Sequence, residues 1–411
     1  MKDKELATNE YKAQTYLIFL CWLMYVASYV ARYSYNANIT VITTAFFIQD
    51  YSKTGLVTTC FFFAYGIGQV VCGLLCKRFN KRLVLFGAMQ VSAMVNFLIF
   101  LGIDFAFYKY LWFINGAALS TLWCSLILTL SENVETKRLR TAILVMGTTV
   151  ASGTFIAYGV SALCALFEYW KITFLLAAIL VASAGFVWLF SYNRVVSERQ
   201  KGSETPKQQE NVRASKGLWW TLIALAFFAV VCNLIKDGLM TWVPSILKKQ
   251  YGFKDSLSII LTLTLPLVGF GGIALVAYLK KKANNFVGLT GIFYIGALLC
   301  LIGVLVAFDL TSWLPLVLFF ALVYCFMSGV NNIVTASAPL YLRGQINSGV
   351  LAGVLDGFCY VGSTISAYGL GTFADYFGWK AVFILLSGMA AIAVFIAILF
   401  AMINRRKKDV H

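Results

Sequence analysis

Long apolar stretches alternate with short polar ones along the chain, and the apolar stretches are as long as a bilayer crossing. Runs of about 20 apolar residues occur twelve times, near 15–47, 54–76, 83–103, 106–131, 141–167, 172–192, 217–247, 256–279, 285–308, 312–341, 348–374 and 380–403. In hydrocarbon each backbone polar group must be bonded within its own segment, so runs of this length are expected to be helices. The polar stretch up to Gln14 carries no cleavable signal pattern, and the first apolar run is too long for a signal h-region. It is expected to stay attached as the first helix. The pattern predicts an all-α polytopic membrane protein.

One connector is long and hydrophilic. Residues 193–216, rich in Gln, Glu, Ser, Lys and Arg, separate spans six and seven and read as a flexible linker. They divide the chain into an N-terminal six-helix half, 1–192, and a C-terminal six-helix half, 217–411. The halves echo each other: Trp170-Lys171-Ile172-Thr173-Phe174 opens span six, and Trp379-Lys380-Ala381-Val382-Phe383 opens span twelve. Two parallel repeats with a midplane site between them describe the major facilitator fold, the expected architecture.

Hydrophobic residues make up 60% of the 411 and charged ones 12%, a balance no soluble domain of this size shows. The formal charge of +16 could suggest nucleic acid, but position decides otherwise. Most Lys and Arg fall in the loops on the side of the two termini, including Lys77, Arg78, Lys81, Arg82, Arg138, Lys280 and Arg405 to Lys408. The positive-inside rule therefore places both termini in the cytoplasm, in an inner or plasma membrane, and no nucleic-acid partner is needed. The 10 cysteines sit in apolar runs without metal-ligand spacing and read as small buried hydrophobes. His411 is the single histidine and the last residue, which excludes histidine general-base chemistry and histidine metal sites. There is no Walker-type phosphate loop and no catalytic constellation, so neither an enzyme nor an ATP-driven pump is expected, and no cofactor or metal.

Four ionisable residues fall within the apolar runs: Arg32, Lys236, Asp237 and Asp356. A charge at mid-membrane costs roughly 2.5–3.5 kcal/mol on insertion scales and either lines a ligand or ion pathway or pairs structurally across helices. Arg32 lies halfway along its run, too far from either interface to snorkel. On its helix Tyr25, Ser28, Tyr29, Arg32, Tyr35 and Asn36 share one polar and aromatic face. Asp237 follows Lys236 directly, about 100° around the helix, and is expected not to pair with it. Asp356 lies beside a Gly349, Gly353, Gly357 stripe that would let another helix approach, with Tyr360 one turn on. It could pair with Lys236 or Arg32, or take up a proton. Pro244 and Pro266 are expected to bend spans seven and eight.

Four stretches resemble the organophosphate:phosphate antiporter family of the major facilitator superfamily, which includes glycerol-3-phosphate and hexose-phosphate transporters. Tyr25-x3-Tyr29-x2-Arg32 is similar to the family's Y-x3-Y-x2-R, and Ala64-Tyr65-Gly66 to its A-Y-G. Lys236-Asp237-Gly238-x3-Trp242-x-Pro244-x2-Leu247-Lys248 resembles R-Y-G-x3-W-x-P-x2-L-K, and Ser348 to Trp379 matches the family's spacing. Gly73 through Arg82 resembles the superfamily's G-x-x-x-D-R-x-G-R-R loop, with Lys77 where the acid usually stands. The resemblance implies that Arg32 and Lys236 bind a phosphoryl group, with Tyr25, Tyr29, Tyr65 and Tyr360 as hydroxyl donors or cavity walls. Gln69 stands where the glycerol-phosphate members have a lysine. Thr148 lies in the region that carries their span-five histidine.

The expected function is secondary transport of a small organic anion, an organophosphate exchanged for inorganic phosphate, by a monomer in the lipid bilayer. Two alternatives stay open: a proton- or sodium-coupled symporter of a carboxylate or other organic anion using Asp356, and a phosphosugar-sensing receptor without transport.

Overall fold

The computed structural model describes residues 2–75, 78–196, 216–280, 286–342, 345–346 and 348–408. Cys76, Lys77, most of the connector (197–215), Lys281, Lys282, Arg343 and His411 lie outside the described residues. The helices in chain order are α1 (Lys2–Ala37), α2 (Ile39–Ala45), α3 (Tyr51–Leu75), α4 (Lys81–Phe100), α5 (Tyr108–Asn133), α6 (Thr136–Gly147), α7 (Thr149–Leu166) and α8 (Ile172–Val196). They continue as α9 (Lys216–Tyr251), α10 (Asp255–Thr262), α11 (Thr264–Leu279), α12 (Phe286–Ala307), α13 (Leu314–Asn332), α14 (Ala338–Tyr341) and α15 (Ser348–Lys408).

Among the described residues 11 segments are long and apolar enough to cross a membrane. The last of them, Val350–Phe400, has 51 residues, about 75 Å of helix against a hydrocarbon core of about 30 Å. It is interrupted at Gly378, whose φ of 78° and ψ of 167° are open to glycine. Two spans therefore meet there, and the twelve helices read from the apolar pattern are present.

Several spans are built from two pieces. The first breaks at Asn38 between α1 and α2, the fifth at Thr148 between α6 and α7, and the eighth at Leu263 between α10 and α11. Pro266 explains the eighth, since it has no N–H to offer the carbonyl of Thr262. Span ten leaves α-geometry for a π turn at Ile333–Ser337, just ahead of Pro339. Pro244, by contrast, sits inside α9 without interrupting it.

The chain forms two compact units, Met1–Tyr35 with Ala64–Gln208, and Asn36–Phe63 with Gln209–His411. In the first, α4 packs along α8, where Gly185 admits Gln90 and Met89. Tyr35, Tyr108, Trp112 and Phe174 form a buried aromatic cluster. The basic loop after α3 ties helix ends together. Lys81 pairs with Glu132, Arg82 Nε donates to the Leu189 carbonyl at 2.9 Å, and Asn80 caps α4 through the Arg82 and Leu83 N–H groups. Arg138 stacks over the Tyr11 ring at 3.8 Å and donates to the Thr15 hydroxyl.

In the second unit α9 and α15 share the most extensive interface. Glycine makes it possible at Gly362, whereas Gly353 of the stripe faces open space. A Cβ at Gly353 would meet nothing within 4 Å, whereas one at Gly362 would run into the Val230 carbonyl and come within 2.9 Å of the Leu234 nitrogen. Farther along, Gly371 packs on Trp242, and Tyr51, Trp242 and Trp379 form an aromatic cluster with centroids 5.1–5.7 Å apart.

Beside this cluster Asp375 accepts hydrogen bonds from the Tyr51 and Ser52 N–H groups at 2.7 and 2.9 Å, capping the start of α3. A carboxylate there satisfies two otherwise unbonded donors and complements the helix dipole. Asp375→Ala is expected to destabilise the protein by about 1–2 kcal/mol and Asp375→Asn by less than half of that, read as apparent melting temperature in detergent. Equal losses for the two variants would rule out the cap.

Candidate functional site

Each unit holds a buried polar cluster around one intramembrane cation. The first is organised by α1. Arg32 is 6% exposed, and its guanidinium carbon lies 5.2 Å from the centroid of the Tyr29 ring, 5.4 Å from that of Tyr33 and 5.0 Å from that of Tyr65. Three aromatic faces around one cation offset part of its desolvation, each by about 0.5–2 kcal/mol. They leave the arginine's character as a planar fork of N–H donors intact. The Tyr25 hydroxyl lies 3.4 Å from that of Tyr65, and its ring packs on Tyr29 and Trp123. Gly153 of α7 lets span five approach α1 closely, since a Cβ there would run into the Tyr29 Cβ and the Val26 carbonyl.

Four of the residues singled out in the sequence, Tyr25, Tyr29, Arg32 and Tyr65, thus come together in one cage. Tyr33 and Trp123 were not anticipated. Tyr33 lies one position past Arg32 and therefore off its helical face. Gln69 is buried, and its Oε1 has no hydrogen-bond partner among the described residues, a cost that a donor on a bound solute would remove. The Thr148 hydroxyl is already engaged, accepting from Trp22 Nε1 at 2.9 Å and donating to the Val145 carbonyl at 2.8 Å. Its bond to Trp22 joins the span-five break to α1.

The second cluster lies on α9, α13 and α15. Lys236 Nζ is 3.8 Å from Asp237 Oδ1, with side-chain exposures of 15% and 7%. This overturns the expectation that neighbours on a helix would not pair. The four-carbon lysine stem sweeps around the helix and reaches the next residue's carboxylate. The Ser363 hydroxyl of α15 donates to the other oxygen, Asp237 Oδ2. One turn before Lys236, Asn233 Nδ2 donates to Asn331 Oδ1 at 3.1 Å, and that oxygen also accepts from Cys359 Sγ at 3.7 Å.

Asp356 is half-buried, and Cys359 lies within electrostatic reach of Asp356, Cys232, Lys236 and Asp237. Tyr360 is buried, with its ring 6.4 Å from that of Phe62. Asn36 links the second unit's outer segments, donating to the Thr241 hydroxyl and accepting from that of Thr58. Among the described residues no group of three or more His, Cys, Asp or Glu could hold a metal ion. The first unit thus offers a buried guanidinium among tyrosines, and the second a half-buried ammonium with a carboxylate, hydroxyls and amides alongside.

Membrane sensor protein UhpC of Escherichia coli (strain K12) is 20% identical over 97% of this chain and 96% of its own length. A "Probable hexose phosphate transport protein" of Chlamydia pneumoniae is 21% identical over 96% of this chain and 92% of its own. Among solved structures, a bacterial homologue of the human lysosomal transporter Spinster, inward-facing and occupied, superposes with a TM-score of 0.74 at 12% identity. The match covers 94% of this chain and 97% of that one. Its inward-facing unoccupied form gives 0.76 at 13%. The Major Facilitator Superfamily profile matches residues 21–354, across most of the twelve spans and both cation-bearing helices. The chain belongs to the Major Facilitator Superfamily.

Proposed function

We propose that this protein is a secondary active transporter that moves an organophosphate in exchange for inorganic phosphate by alternating access. The observation that carries the reading is Arg32, a mid-span guanidinium buried in a tyrosine cage. Holding such a group in the membrane interior is costly unless it serves an anion, and a phosphate monoester brings about 1.5–2 negative charges at neutral pH. The hexose-phosphate protein among the relatives supports the phosphoryl class. On this reading Arg32 and Lys236 bind the phosphoryl group, Tyr25, Tyr29, Tyr65, Gln69 and Tyr360 serve as donors or walls, and the protein works as a monomer. Its termini lie in the cytoplasm and its six-helix halves are 1–192 and 217–411.

Phosphate counterflow in proteoliposomes tests it. Vesicles loaded with unlabelled phosphate are expected to accumulate labelled phosphate from outside, at least tenfold more than vesicles without internal phosphate. Uptake that ignores internal phosphate but follows a proton or sodium gradient would favour the ion-coupled symporter, for which the buried Asp237 and the half-buried Asp356 supply candidate carboxylates. The sensor among the relatives gives the receptor reading its own footing. Ligand-induced thermal stabilisation without flux would decide for it.

A further inference from the structure

The two carboxylate oxygens of Asp237 do different work. Oδ2 is held by the Ser363 hydroxyl across the α9–α15 interface, and Oδ1 faces the Lys236 ammonium. That interface is tight, with Gly238 against Leu370 and Ser366 and Gly362 against Val230, so the carboxylate has little freedom to withdraw. The lysine, on its flexible stem, is the mobile partner. An anion that draws on Lys236 therefore does so in the presence of a fixed negative charge beside it.

We propose that Asp237 is a specificity-determining residue that sets the charge of the anion this half of the site accepts, favouring a singly charged group over a doubly charged one. The proposal rests on the reading that Lys236 contacts the transported anion. The attraction of an anion to Lys236 and its repulsion from Asp237 both scale with the anion's charge, so next to a near-neutral pair a second negative charge gains little. The cost of removing an ion from water rises with the square of its charge. The balance moves toward the less charged species, which for a phosphorylated solute is its monoanion.

The test uses a hexose 6-phosphate and the 6-sulfate of the same hexose, which share a skeleton and differ in charge. Binding to the full-length protein in nanodiscs is measured by calorimetry at a pH where the phosphate is a dianion. Wild type is expected to bind the 6-sulfate at least as tightly as the 6-phosphate. Asp237→Asn should shift the ratio at least tenfold toward the phosphate, and Asp237→Glu should keep the wild-type ratio. A purely structural carboxylate would weaken both esters alike and leave the ratio unmoved, and that result overturns the proposal. So does a wild-type preference for the phosphate, a measurement that needs no variant to fold.

Should neither ester bind wild type, the organophosphate reading fails, and a thermal double-mutant cycle tests separately the Lys236–Asp237 coupling that the inference requires. Lys236→Met and Asp237→Asn should each lower the apparent melting temperature by about 5 °C, as for breaking a buried pair. The double variant should then recover at least half of the summed loss. Additive losses would mean that Asp237 does not govern the charge of Lys236.

Discussion

Arg32→Ala is expected to abolish counterflow and to weaken anion binding by about two to four orders of magnitude, while the protein stays folded. Two charge-assisted hydrogen bonds from a guanidinium to a phosphoryl group contribute about 1.5–3 kcal/mol each, and every 1.4 kcal/mol is tenfold in affinity. Stability responds differently. Alanine relieves the roughly 2.5–3.5 kcal/mol insertion cost of a mid-membrane cation and gives up three cation–π contacts of about 0.5–2 kcal/mol each. The two terms oppose each other, so the apparent melting temperature without ligand should change by no more than about 5 °C. Arg32→Lys keeps the charge but not the planar fork, and should retain measurable binding at about a tenth of the affinity or less. Calorimetric titration with phosphate beside a thermal melt separates the cases. A structural arginine would show the reverse pattern, lost stability with affinity kept.

The sequence carried the fold further than the site. Twelve apolar runs are properties of short stretches, and the structure reproduces them as spans, the last two meeting at Gly378. Tyr29 and Tyr65 were legible beside Arg32 because helical spacing and a short motif both pointed to them. Tyr33 was not, because a helical wheel tracks Cα directions while a guanidinium sits at the end of a long side chain that bends toward neighbouring positions. The same limit hid the approach of Lys236 to Asp237. Ser363 was invisible for another reason: it reaches Asp237 across an interface, and nothing local in Cys359-x3-Ser363 says which helix it faces. Of the two prolines read as bends, Pro266 marks the break near Leu263, while Pro244 leaves α9 uninterrupted. The π turn before Pro339 and the breaks at Asn38 and Thr148 carry no signal that the sequence reading used.

Gly362→Leu is expected to cost more stability than any other single glycine change in the α9–α15 interface. Without a hydrophobic drive between helices in lipid, association rests on close packing at small residues and on interhelical hydrogen bonds, and Gly362 serves both. A side chain there would meet the backbone of Val230 and Leu234, which no rotamer change can move aside. The helices would have to part. Ser363, the next residue, would then draw away from Asp237, and the Trp242 indole would lose its 3.2 Å bond to the Ser366 carbonyl. Overpacking alone costs about 1–3 kcal/mol, and a buried carboxylate deprived of its donor adds about 1–3 more. The apparent melting temperature should fall by about 5 °C or more, with reduced monodisperse yield on size exclusion. Gly353→Leu is the control, because a Cβ there meets open space, and it should stay within about 0.5 kcal/mol of wild type. Equal losses at the two positions would show that α15 resists any added bulk. Loss at Gly362 alone would locate the contact that seats Asp237 against its serine, and would make the packing of α9 on α15 a determinant of the charge Lys236 presents to an anion.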